Sequence, residues 1–189
     1  MPPVARPLEA QVAAASHGAR PAIIQALLAT AAMPQCYLDP SWPSSSIRVL
    51  SNITFGSSFN NKTGMQETLQ LDAYLPPESD VRTAVPVAVV VHGGGFTDGD
   101  KTWEGDVQLA MALASRGFAA VSVNYRLTGD YWPWDVAERQ ILDAVEDVRA
   151  AVRYVRSVAT THQLDTDRIL LAGGSAPESN PHPARHVSA

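Results

Sequence analysis

"VPVAVVVHGGGF" (Val85–Phe96) sets seven almost wholly apolar, mostly β-branched residues one histidine away from three consecutive glycines. A run of that length and composition reads as a strand buried on both faces of a sheet. Two more such runs follow downstream, "GFAAVSVNY" (Gly117–Tyr125) and "RILLAGG" (Arg168–Gly174). Between the first pair, Glu104–Arg116 predicts a helix, with Gly117 placed as its C-terminal stop. Between the second pair, Asp135 and Glu138 form a D-x-x-E capping pair. Behind it Ile141, Ala144, Val145, Val148, Ala151, Val152, Val155 and Val158 recur every three or four residues. That spacing makes one apolar stripe on a helix of about six turns. Buried strands separated by amphipathic helices predict an α/β fold with a mostly parallel sheet.

Upstream, "IRVLSNITF" (Ile47–Phe55) and "TLQLDAYLP" (Thr68–Pro76) alternate apolar and polar residues, and "NNKTG" (Asn60–Gly64) supplies a turn. They read as a half-exposed antiparallel hairpin preceding the parallel strands. Residues 1–46 read as leader and linker, closing with the turn-rich "DPSWPSSS". Residues 47–176 form the α/β part. Residues 177–189, with Pro177, Pro181 and Pro183 and no apolar period, read as a disordered tail.

With 189 residues, 46% hydrophobic and 17% charged, the chain has the composition of one globular domain. A net charge of −5 gives no electrostatic basis for binding nucleic acid. The lone Cys36 excludes an internal disulfide framework, and no metal-ligating constellation is written in the sequence. "AIIQALLATAA" (Ala22–Ala32), preceded by Arg20, has the length of a signal-peptide core and is too short to span a bilayer. A secretory leader, an organellar leader and an amphipathic helix of the mature protein all stay open, and the compartment with them. Two sequons, at Asn52 and Asn61, would accept N-glycans only in a secretory compartment.

Two glycine-rich turns each follow a predicted buried strand: "HGGGF" (His92–Phe96) and "GGSA" (Gly173–Ala176). Ligands of open α/β sheets bind at the carboxyl ends of the strands, so both turns belong to one edge. A serine on a sharp strand-to-helix turn lifts its hydroxyl above the sheet, and consecutive glycines leave backbone N–H groups bare to meet an oxyanion. Gly94–Gly99 has P-loop spacing, but Asp100 takes the lysine position, and "LLAGGSA" lacks the dinucleotide fingerprint. His162 reads as part of a solvated loop, and Glu138, Asp143, Glu146 and Asp147 as the polar face of the long helix. Trp103, Trp132 and Trp134 fit either a pocket lining or ordinary packing.

From about Thr68 to Ala176, "LDAYLPP", "VVVHGGGFTDGDK", "AVSVNYRL", "DAVEDVRAAVRYVR" and "LDTDRILLAGGSA" occur in one order and spacing. Together they resemble the α/β-hydrolase esterases and lipases with an HGGG-type oxyanion loop, in the branch that includes bacterial-type feruloyl and acetyl esterases. The resemblance covers the N-terminal half of such a domain. It implies Ser175 as nucleophile and the N–H groups of Gly94, Gly95 and Ala176 as oxyanion donors. His92 and Gly93 shape the loop, and Asn124, Tyr125 and Arg126 support the site. The implied substrate is a small ester, and no cofactor is needed.

Three departures set this chain apart. The elbow reads Gly173-Gly174-Ser175-Ala176-Pro177, with proline in place of the last glycine of G-x-S-x-G. No helix is legible after the elbow. The acid and histidine that should follow Ser175 are absent in recognisable form, since Glu178, His182 and His186 crowd a proline-rich tail. The sequence therefore predicts the first part of a hydrolase sheet, truncated after the nucleophile elbow and inactive as it stands. The rival reading is a non-catalytic fragment or interaction module, open to self-association through an exposed sheet edge.

Overall fold

The computed structural model describes residues 37–127 and 134–174, with side chains of the second helix from Glu138 onward. Five strands form one sheet: β1 (Arg48–Asn60), β2 (Met65–Leu75), β3 (Val85–Val91), β4 (Ala119–Val123) and β5 (Leu164–Gly173). Helix α1 (Glu104–Ser115) joins β3 to β4, and α2 (Trp134–His162) precedes β5. The strand order is β1-β2-β4-β3-β5. The β1–β2 hairpin is antiparallel and β2 pairs antiparallel with β4, while β4, β3 and β5 run parallel.

The period of the central strands explains the layers. Successive side chains of a strand face opposite ways, so Val87 and Val89 join Leu71, Val121 and Val123 on one face, beneath Ala151 and Val155 of α2. Ala88, Val90 and Ala120 face the other way, against Ala110 and Ala114 of α1. Val87, Val89 and Val90 are fully buried, and burying each such side chain stabilises the fold by about 1.5–3 kcal/mol. Helix α1 ends as the sequence predicts. Gly117, at φ +97°, lets its N–H reach the Ala114 carbonyl (2.9 Å) while the Phe118 N–H reaches that of Leu113 (3.1 Å). Residues 37–42 run back over this end, with the Ser41 and Trp42 N–H groups both donating to the Ser115 carbonyl.

Three expectations need correction. "RILLAGG" is not a buried strand. It is the C-terminal part of β5, which among the described residues is an edge strand paired with β3 alone, and Leu170 and Leu171 remain exposed. An apolar run specifies a strand fit for burial, but burial also requires an outer neighbour, and the described residues supply none. Asp135 lies inside α2 rather than at its cap, because the helix already includes Trp134. The apolar stripe is buried only in part: Ala144, Ala151 and Val155 are buried, whereas Ile141 and Val145 are exposed. The tail, residues 177–189, lies outside the described residues.

Candidate active site

The two glycine turns meet because β3 and β5 are parallel neighbours with Val91 opposite Gly173. A Cβ on Gly173 would sit 2.5 Å from the Val91 carbonyl oxygen, so only glycine lets the strands close here. Both strands end at the same edge, and their turns border a cavity of about 720 Å³. Phe96, Val145, Val148 and Leu171 give it apolar walls, with Arg149 at its border.

The first turn is built from the inside out. His92 is buried, its ring stacked on Tyr125 at 4.3 Å and tilted toward Trp103 at 6.1 Å. Its Nδ1 lies 2.8 Å from the Gly93 carbonyl, which fixes the proton on Nδ1, since a carbonyl only accepts. The Tyr125 hydroxyl donates to the His92 carbonyl at 3.1 Å. Gly94 and Gly95 then take φ values of +105° and +58°, in the region that favours glycine. The turn closes when the Thr97 and Asp98 N–H groups both donate to the Gly94 carbonyl at 3.1 Å. A Cβ on Gly94 would meet the Asp98 carbonyl oxygen at 2.0 Å. Among the described residues, neither the Gly94 nor the Gly95 N–H has a hydrogen-bond acceptor. Two unengaged donors on a rigid turn at a cavity are what an oxyanion requires.

The far end of the loop is tied down as firmly. Asp100 accepts hydrogen bonds from the Thr102 N–H and hydroxyl and from Asn124 Nδ2. Burial pushes the Asp100 carboxyl up, but these bonds outweigh it and hold the group below the usual carboxylate range. The Lys101 N–H donates to Asn124 Oδ1 at 2.6 Å, and its carbonyl accepts from the Ser122 hydroxyl at 2.9 Å.

Behind the cavity, Arg126 is buried and grips α2. Its Nε donates to Asp147 Oδ2 at 2.8 Å, its Nη2 to Oδ1 at 2.9 Å, and its Nη1 reaches the Phe59 carbonyl at 3.0 Å. The Asp147 hydrogen bond raises the guanidinium above its ordinary value; burial opposes the rise, and the neighbouring carboxylates add to it. Asp143 and Asp147 are therefore not part of a solvated polar face, as the sequence suggests for all four carboxylates; both are buried. Glu138 and Glu146 do stay exposed. The sequence signal that separates them is position: Asp143 and Asp147 continue, at spacing four, to Ala151 and Val155 on the packed side.

Ser175, Ala176, Trp132, Glu178, His182 and His186, and the side chain of Trp134, lie outside the described residues. Trp103 precedes α1 beside the loop. His162 is the last, exposed residue of α2 rather than part of a loop. It borders a separate polar pocket with Arg48 and Glu78. Asn61 is exposed in the hairpin turn, whereas Asn52 Oδ1 accepts from Lys101 Nζ. No group of three or more His, Cys, Asp or Glu able to hold a metal ion occurs among the described residues. No described helix is long and apolar enough to cross a membrane.

The BD-FAE family model matches residues 71–178, more than half of the chain. The chain belongs to the BD-FAE family. Together with its carboxylesterase relatives, this places it among the α/β-hydrolase esterases and lipases. Carboxylesterase NlhH of Mycobacterium tuberculosis is 35% identical over 103 residues, covering 54% of this chain and 29% of the relative. Esterase LipI of the same organism is 33% identical over 103 residues, with the same two coverages. Among solved structures, the thermophilic esterase Est2 of Thermogutta terrifontis superposes with a TM-score of 0.51 at 22% identity. That match covers 75% of this chain and 44% of Est2, and it bears on the fold alone. The chain spans less than a third of the length of the curated relatives it matches. The residues of this BD-FAE chain that sequence reasoning passed over are Asp72 and Lys101; they are distant in sequence, so no local pattern marks the pair.

Proposed function

We propose that this chain carries the nucleophile and oxyanion half of a serine carboxylic-ester hydrolase site, and that it does not turn over ester unaided. Ser175, one residue beyond the described end of the Gly173–Gly174 turn, attacks the ester carbonyl. The N–H groups of Gly94, Gly95 and Ala176 hold the oxyanion, and His92 and Gly93 shape the loop that presents them. The observation that carries this reading is the pairing of Val91 with Gly173, which brings the nucleophile turn beside two unengaged N–H donors. The substrate is a small ester with an apolar acyl group suited to the cavity walls.

Turnover also needs a base for the serine proton. Neither described histidine is placed as that base: His92 is buried beneath the loop and stacked on Tyr125, and His162 borders the other pocket. This favours, as second reading, a non-catalytic product of the same family, with the exposed β5 edge available for self-association.

The test uses the full chain, its Ser175→Ala variant and p-nitrophenyl acetate. Equal background rates for the two are expected. With imidazole added to the solution as a surrogate base, peptide mapping should find an acetyl group on Ser175 and none at position 175 of the variant, while amines acetylated through N-acetylimidazole are labelled alike in both. Ser175-dependent turnover without imidazole would overturn the inactivity. No acetylation of Ser175 with imidazole would overturn the nucleophile assignment and leave the non-catalytic reading.

A further inference from the structure

Beneath the oxyanion loop lies an ion pair that the site chemistry does not use. Lys101 Nζ sits 3.0 Å from Asp72 Oδ1, with the two side chains only 5% and 4% exposed. Nζ also donates to Asn52 Oδ1 at 3.0 Å. Asp72 Oδ1 in turn accepts the Asn52 N–H at 2.7 Å. Asn52 reaches both groups because β1 carries an extra residue between Leu50 and Ile53, where Asn52 adopts φ +59°. Three segments thus converge: the bulge of β1, the middle of β2 and the end of the loop that begins at His92.

We infer that Lys101 and Asp72 are positioning residues for the oxyanion loop, an inference that rests on the proposed reading of that loop. A buried ion pair is weak evidence for net stability, because desolvating two charges offsets most of their attraction. What it supplies is geometry. The start of the loop is fixed by β3. Its other end reaches Lys101, whose backbone N–H and carbonyl bond to the Asn124 and Ser122 side chains and hold it against β4. The Lys101 side chain adds the tie to β1 and β2, so the turn that aims the Gly94 and Gly95 N–H groups is referenced to the whole sheet. Neither residue touches the cavity, and neither is a catalytic residue.

The inference separates stability from loop order, and the experiment does likewise on the full-length chain. Lys101→Met and Asp72→Asn each strand one buried charge and should lower the thermal midpoint. The double variant removes both charges, keeps an acceptor for the Asn52 N–H, and should recover most of the midpoint. Loop order is read by hydrogen exchange at the Thr97 and Asp98 amides, the two bonded to Gly94. In the double variant these should exchange at least about tenfold faster while the β3 and β4 amides keep their protection. Imidazole-driven acetylation of Ser175 should slow in parallel. Unchanged exchange at Thr97 and Asp98, or protection lost evenly across the sheet, would overturn the inference. Should the double variant fail to fold, Asn52→Gly deletes one tie at a position glycine tolerates, and a smaller acceleration at the same two amides is expected; none would overturn the inference. If Ser175 of the parent chain is not acetylated, the esterase reading fails by itself, and exchange still decides the role of the pair.

Discussion

β4 and the apolar part of β5, Ile169–Ala172, flank the same strand and run in the same direction, yet they differ in fate. Every residue of β4 is buried, while along β5 no residue is fully buried. The difference lies in their second neighbours. β4 is paired on its outer side by β2 and covered by both helices, whereas β5 has β3 and, among the described residues, no outer strand. Helix α2 repeats the contrast around its own axis, with Asp147 and Ala151 buried on one side and Ile141, Leu142 and Val145 exposed on the other. An apolar residue stabilises by what it is packed against, so equal residues on the two flanks should have unequal weight.

The sharpest test of that contrast is on α2. Asp147→Ala leaves the buried Arg126 guanidinium without its main partner and should cost about 3–5 kcal/mol. Val145→Ala, two residues away, should stay within about 0.5 kcal/mol. Urea midpoints of the two variants check this; equal losses would break the comparison. Next comes a single substitution at two leucines. Leu71→Ala, at 1% exposure on β2, should cost about 2–5 kcal/mol. Leu171→Ala, at 62% exposure on β5, should cost no more than about 0.5 kcal/mol.

The sheet was legible where a short-range signal coincides with the packing. Val85–Val91 is a pure apolar run and forms β3 over those same residues, and Gly117 stops α1 by the expected mechanism. The glycine loop was legible because consecutive glycines signal an unusual backbone, which Gly94 and Gly95 adopt. What the sequence hides is pairing across distance. Asn52 and Lys101 stand 49 residues apart, and nothing near either one marks the other as its partner. Asp143 and Asp147 look like surface carboxylates until Arg126 arrives from the end of β4. The exposure of β5 was hidden for a related reason, since a strand's own residues do not encode whether it will have an outer neighbour.

The smallest expected effect concerns pH. Asp100 is held below its ordinary value in the fold. Its hydrogen bonds to Thr102 and Asn124 therefore contribute fully above the unfolded carboxyl value near pH 4, and are lost as the pH falls through the lower folded value. The thermal midpoint of the parent chain should exceed that of Asp100→Ala at neutral pH, and the gap should narrow below about pH 4. A gap that stays constant into acid would assign the contribution of Asp100 to packing instead of charge.

The two adjacent glycines before Ser175 stand under different steric constraints. A side chain at 173 would strike the Val91 carbonyl, while one at 174 would meet nothing within 4 Å among the described residues. In a lineage that abandoned catalysis but kept its sheet, selection would hold glycine at 173 and release 174. Glycine at the first position thus answers to architecture; on the proposed reading of Ser175, the second position and the serine beside it are where drift would first register a change of occupation.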